Sequence, residues 1–193
     1  MGRPKSGEAG ATQRMQDAFW QLLVAKPYDQ ITVSDITRVS GLNRSAFYYH
    51  YSNIPELADD AIAALYAKTA VSTFIARIIH SPTGTVPEEG FTEFISDPDY
   101  LASARKVILI AGPHSTPGLI RQLKDFIIDA WLSILMIDPK TLDDGQRLTL
   151  EFAVSGLLGI LGWVSSGNPK DIAPLIRRSH LPETIAQLIN SLT

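Results

Sequence analysis

Apolar residues recur along this chain at helical rather than strand spacing. Met15, Ala18, Phe19, Leu22 and Leu23 form one stripe within residues 11–25, the three-and-four alternation of an amphipathic helix. Pro27 ends it, because the residue before a proline is pushed out of the α region. Thr32 and Asp35 have the spacing of a capping box and open a short helix through Val39, which Gly41 closes. Asn43 caps a further short helix to about His50. Asn53 and Glu56 repeat the capping pattern, with Pro55 in a first turn that tolerates it, and predict a long helix running to Ile79.

Ser81, Pro82, Thr83 and Gly84 then mark the clearest loop, which extends to Pro87. Beyond it the pattern predicts short helices over residues 88–96 and 98–111. Longer ones follow over 116–136 and 144–165, then two more over 170–179 and 182–192. Gly112-Pro113, Asp138-Pro139, Gly167-Asn168-Pro169 and Leu181-Pro182 punctuate them. No segment alternates with period two over a strand's length. The expected fold class is all-α.

Composition narrows the function. The chain has 193 residues, 45% of them hydrophobic, and no cysteine. A core of useful size is therefore within reach without disulfides, and thiolate metal sites and cysteine nucleophiles are excluded. A net charge of −3 speaks against a surface that is basic throughout. The sign is uneven, however. Residues 1–53 carry six basic groups against four acidic, and the remainder eleven against sixteen. The polar first eight residues, with no apolar run before Phe19, do not make a secretory signal. The most apolar stretch, residues 152–164, is shorter than the ~20 residues that span a bilayer. A cytoplasmic protein with no membrane partner is expected.

The basic end is also where the chemistry gathers. Two short helices joined by Ser40-Gly41-Leu42-Asn43 make a helix-turn-helix pattern, in which the first helix braces on phosphates and the second enters the major groove. Val33, Ile36 and Val39 face inward on the bracing helix, and Leu42, Ala46 and Phe47 hold the second helix to it. Asn43, Arg44, Ser45, Tyr48, Tyr49 and His50 are left as hydrogen-bonding groups on the other surface. Phe47 and Tyr51, four apart, read as core.

The run Ile31-Thr32-Val33-Ser34-Asp35-Ile36, followed by Ser40-Gly41-Leu42-Asn43-Arg44-Ser45-Ala46-Phe47-Tyr48-Tyr49-His50-Tyr51, resembles the DNA-binding domain of TetR-family transcriptional regulators over residues 11–60. Cap, turn glycine, core apolars and the Tyr-x-His-aromatic tail all occur in register. The preceding Gly2-Arg3-Pro4-Lys5 is similar to that family's basic arm. The resemblance implies an operator-binding dimer, most simply a repressor. In it Thr32 or Ser34 touches phosphate, Arg44 and Ser45 reach base edges, and Tyr48 and His50 hold the backbone. Tyr49 lies where either is reached, and Arg3 and Lys5 belong to the arm. Arg44 is the residue suited to a bidentate contact with guanine. One departure is Ile54, where the family has lysine, so Arg38, Arg3 or Lys5 would have to supply that phosphate contact.

Residues 1–55 are thus expected to form the DNA-binding domain and 56–193 a helical regulatory and dimerisation domain. The segment from Leu148 to Val164 is apolar nearly all round and should be buried on most sides. The closing helix offers Ile185, Leu188, Ile189 and Leu192 as a further stripe. The glycine-rich run from Gly156 to Trp163 looks like the C-terminal domain of a smaller TetR subgroup of Gram-positive bacteria. In the resembled family the last two long helices pair across a two-fold axis. The interface expected here comprises Leu148, Phe152, Ser155, Gly159, Gly162, Trp163, Ile185, Leu188 and Leu192. The family's second feature is a small-molecule effector pocket, placed here near Tyr66, Phe74, Phe94, Tyr100, His114, Phe126 and Trp131.

Enzyme readings find no constellation. The four histidines lack metal-ligand spacing, and no strand precedes a glycine-rich loop, so neither catalysis, nor a metal, nor a cofactor is expected. The alternative to a DNA-binding regulator is a helical ligand-binding or protein-interaction protein, including a co-activator, with a vestigial helix-turn-helix.

Overall fold

The computed structural model describes residues 6–67, 98–167, 175 and 178–192. Among these the chain is helical throughout, with no strand. The helices are α1 (Ser6–Ala25), α2 (Val33–Ser40), α3 (Arg44–His50), α4 (Ile54–Ala67), α5 (Pro98–Ile110), α6 (Pro117–Leu135), α7 (Asp144–Ser165) and α8 (Leu181–Asn190). The all-α expectation, with an N-terminal helix-turn-helix and a helical body, holds. Residues 68–97 lie outside the described residues. So do the continuation of α4 to Ile79, the helix expected over 88–96 and most of that over 170–179.

The ends fall where local chemistry puts them. Thr32 accepts from the Asp35 amide while the Asp35 carboxylate accepts from the Thr32 amide, a complete capping box. Gly41 takes φ +66°, the left-handed conformation that ends α2. Thr116 caps α6 ahead of Pro117, and Asp143 and Gln146 form a second capping box on α7. At α4 the pattern is altered. Asn53 accepts from the Glu56 amide at 2.9 Å, but the Glu56 carboxylate accepts from the Ser52 amide, one residue earlier than a capping box requires. Helix α1 starts at Ser6, before the apolar stripe begins, since nothing in the intervening residues breaks it.

One hydrophobic cluster runs through the molecule. Met15, Phe19 and Leu23 of α1 are fully buried with Ile36 of α2, Phe47 of α3, and Leu57 and Ile62 of α4. Ile110, Leu119, Leu123, Ile127, Trp131, Leu150, Val154 and Leu158 continue it through α5, α6 and α7. Helix α1 packs on α2, α3, α4 and α5, while α6 packs on both α4 and α7. The helix-turn-helix and the body therefore meet along α5 and α6.

Polar groups fasten that seam. The Tyr28 amide donates to the His114 carbonyl at 2.8 Å, and the His114 ring lies 2.9 Å from the Leu23 carbonyl. Gln122 of α6 donates to the Pro55 carbonyl and to Asp59, at 3.0 and 2.8 Å. The Lys106 ammonium stands 5.5 Å from the Trp20 ring centre.

Helix α7 differs from its expected surroundings. Only Leu150, Ala153, Val154 and Leu158 are buried, because α5, α6 and α8 cover one side of it. Leu148, Phe152 and Trp163 are 71%, 68% and 51% exposed. The expectation of burial on most sides fails within the single chain. The helix has 22 residues, longer than its most apolar stretch, and is long and apolar enough by length and composition to cross a membrane. Its first two turns carry Asp144, Arg147 and Glu151.

Two outcomes follow for stability. Phe47→Ala leaves a cavity where α1, α2 and α3 meet and should cost about 3–5 kcal/mol in denaturant unfolding; a loss below about 1 kcal/mol would contradict that packing. Burial, with the Asp59 charge second, pushes the Tyr28 phenol up to about 12 from its ordinary 10. The protonated form is thus favoured by folding, and its contribution is complete below pH 10 and lost as pH rises toward 12. Wild type should lose more stability between pH 8 and 11 than Tyr28→Phe, and equal losses would refute the assignment.

Candidate nucleic-acid interface

Helix α3 has seven residues, too few to be stable alone, so its orientation is imposed by what it packs on. Phe47 and Tyr51 are its inward anchors, at 0% and 5% exposure, with ring centres 5.8 Å apart. The opposite surface carries Arg44, Ser45, Tyr48 and Tyr49, all exposed, the two tyrosines at 59% and 72%. Tyr48 stands edge-on to Phe47 at 5.4 Å, and Tyr49 edge-on to His50 at 4.9 Å. The inward and outward sets separate as the sequence pattern expects, except that His50 is half-buried.

Three polar devices hold this surface. At the turn, Arg14 of α1 donates to the Ser40 carbonyl, which accounts for one of the module's six basic groups. A Cβ at Gly41 would meet the end of the flexible Arg14 side chain at 2.9 Å, so it is the left-handed backbone that favours glycine there. Below α3, the Tyr51 hydroxyl and the Gln16 amide both donate to the Asp60 carboxylate, the latter at 2.8 Å, tying α1 to α4 and to the end of α3. Burial, and the carboxylate it donates to, raise the Tyr51 phenol above its usual range. At the start of α2, Asp35 accepts from Lys26 at 2.5 Å, Thr32 at 2.6 Å and Arg38 at 2.9 Å. Those bonds, Lys26 first, hold its carboxyl well below the usual range.

These bonds distinguish the candidate contact residues. The Thr32 hydroxyl is engaged with Asp35 as donor and as cap. The Asn43 side-chain oxygen accepts from the Ala46 amide at 2.8 Å and so caps α3. Ser34 is exposed, and its hydroxyl accepts from Arg44 at 2.6 Å, joining the first turn of α2 to that of α3. Arg38 points outward, 71% exposed. Arg3 and Lys5 lie outside the described residues.

The residues expected elsewhere divide less evenly. Leu148, Phe152, Ser155, Gly159 and Trp163 are all exposed on α7. Gly162 is turned inward, where a Cβ would stand 3.4 Å from the Ala111 carbonyl. Leu188 is half-buried, and Leu192, at 4% exposure, is spent in the chain's own core. Ile185 lies on α8. Of the effector group, Trp131 is 3% exposed, Phe126 half-buried, and His114 sits at the seam with α1. Tyr66 and Tyr100 lie on α4 and α5, while Phe74 and Phe94 lie outside the described residues. Among the described residues no group of three or more histidines and carboxylates is placed to hold a metal.

Sequence reasoning did not find Arg14, Gln16, Asp60 or Gln122, and it placed His114 at an effector pocket rather than at the seam with α1. Their partners are 26 to 94 residues away for every bond but that of Tyr51 to Asp60, and no local spacing signals such pairs.

Residues 17–61 match the family described as bacterial regulatory proteins, tetR family. An uncharacterized helix-turn-helix-type transcriptional regulator of Bacillus subtilis strain 168, YxbF, is 45% identical over 51 residues, which are 26% of this chain and 13% of that protein's length. A crystal structure of the TetR-family repressor AlkX from Dietzia sp. strain DQ12-45-1b, implicated in biodegradation of n-alkanes, aligns with 94% of this chain and 97% of its own. Its identity is 22% and its TM-score 0.46, a likeness that carries no argument about function. The matched segment takes in the last nine residues of α1, all of α2 and α3, and the first eight of α4, so it is over its helix-turn-helix module that this chain is similar to TetR-family proteins.

Proposed function

We propose that the chain is a homodimeric transcriptional regulator, a repressor that binds a palindromic operator in double-stranded DNA and leaves it when a small ligand binds the body. The observation that carries the reading is the two-sided α3. Phe47 and Tyr51 fix it from within, and Arg44, Ser45, Tyr48 and Tyr49 stand exposed along its length. A helix so presented fits the major groove, with its first residues toward base edges and α2 on the backbone. Arg44 reads guanine, Ser45 reaches a neighbouring base edge, and Tyr48, Tyr49 and His50 hold phosphates. Arg38 replaces the phosphate contact that Ile54 cannot make, and the arm residues Arg3 and Lys5 reach the minor groove. The division between DNA-binding and regulatory parts falls near residue 55, at the start of α4.

The second copy covers α7. Leu148, Phe152, Ser155, Gly159 and Trp163 are spaced by three or four residues and form one open stripe. A Cβ at Gly156 or Gly159 would meet nothing within 4 Å, which leaves room for a partner backbone. On α8 the half-buried Leu188 packs against the chain's own core. For the ligand, the indole N–H of Trp131 is buried without an acceptor among the described residues. A molecule offering an oxygen would satisfy it.

Selection of bound sequences from random duplex DNA tests the reading as a whole, and a two-fold symmetric motif is the expected product. Arg44→Ala should lose about 1–3 kcal/mol on that motif and flatten preference at one position per half-site, whereas Tyr48→Phe should weaken all sequences alike. Unchanged affinity and preference in Arg44→Ala would remove it as a base reader. Phe152→Glu should convert a dimer to a monomer in sedimentation and abolish operator binding, since two half-sites need two subunits. A wild type that sediments as a monomer at micromolar concentration would refute the α7 interface.

A further inference from the structure

We infer that Ser34 is a specificity-determining positioning residue: its hydroxyl holds the Arg44 guanidinium in the orientation that reads a base. This rests on the DNA-binding reading above and goes beyond it by assigning Ser34 a role other than a phosphate contact. Ser34 is the second residue of α2 and Arg44 the first of α3. The Arg44 Nη2 donates to the Ser34 Oγ at 2.6 Å, across ten residues of chain and the whole turn. Both side chains are exposed, so the bond forms on the surface offered to a ligand and not in the core.

The choice of partner matters. Asp35 is adjacent to Ser34, but its two carboxylate oxygens are already taken, one by Arg38 and the other by Lys26 and Thr32. Among the described residues Arg44 has no carboxylate partner. A carboxylate would neutralise the guanidinium and compete with guanine for its paired donors. A hydroxyl uses one donor of five, leaves the charge intact, and still has its own hydrogen to give to a phosphate. An arginine free in solution surrenders rotamer freedom when it docks; one already tethered surrenders less. The tether thus orients the reader without spending its charge, and it couples the base contact to the position of α2 on the backbone.

Selection from random duplex DNA, followed by affinities for the selected duplex and its single-base variants, separates this role from a plain phosphate contact. Arg44→Ala should reduce discrimination at one position per half-site by about tenfold. Ser34→Ala should reduce it at that same position by roughly threefold or more, Ser34→Thr should restore it, and the double variant should discriminate no worse than Arg44→Ala alone. If Ser34→Ala lowers affinity for all sequences alike and keeps full preference at the Arg44 position, Ser34 is only a phosphate contact and the proposal is overturned. A wild type that enriches no sequence overturns the DNA-binding reading, and this proposal with it.

Discussion

Met15, Phe19 and Leu23 lie one turn apart on α1, and their complete burial sets where α2 and α3 can go. Helix α2 has eight residues and α3 seven, lengths that no isolated peptide holds as helix in water. Their order comes from Ile36 and Phe47, each at 0% exposure in the same cluster as the α1 stripe. Tyr51, Asp60 and Gln16 then add a polar clasp at the base of the same cluster, where the fit of one buried donor to one acceptor fixes an orientation that apolar contact alone leaves loose.

The second organising fact is where the module's positive charges go. Lys26 is paired with Asp35, and Arg14 is bonded to the Ser40 carbonyl. Each serves the structure of the bend and its flanks. Arg38 shares Asp35 yet remains largely in solvent, and Arg44 is tethered by a neutral hydroxyl. Simple charge counting treats all four alike. The structure divides them into two that build the module and two that face outward from it, a smaller positive surface than the count suggests.

The body meets the module through the corner between α5 and α6. His114 bonds to the Leu23 carbonyl of α1, and Gln122 to Pro55 and Asp59 of α4, so that corner is fastened to α4 and to α1, the helix on which α2 and α3 pack. Gly162 allows α7 to approach the same corner at Ala111. Helix α7 thus turns one side to this corner and the other, with its open apolar stripe, to solvent.

Much of this was legible in the sequence, and for a common reason. The capping box at Thr32 and Asp35, the glycine at 41, the cap at Asn43 and the apolar periodicity of α1 are all local, acting over a few residues, so their spacing along the chain announces them. The inward placement of Phe47 and Tyr51 follows from the same periodicity. Tertiary structure alone decided the rest, because its interactions join distant residues. It turned His114 from a pocket candidate into a bond at the seam and drew Leu192 into the core. It left one side of α7 open, since apolar composition states that a helix needs cover but not how much its own chain supplies. It also brought Ser34 to Arg44, a pairing set by the angle between two helices rather than by any spacing along the chain.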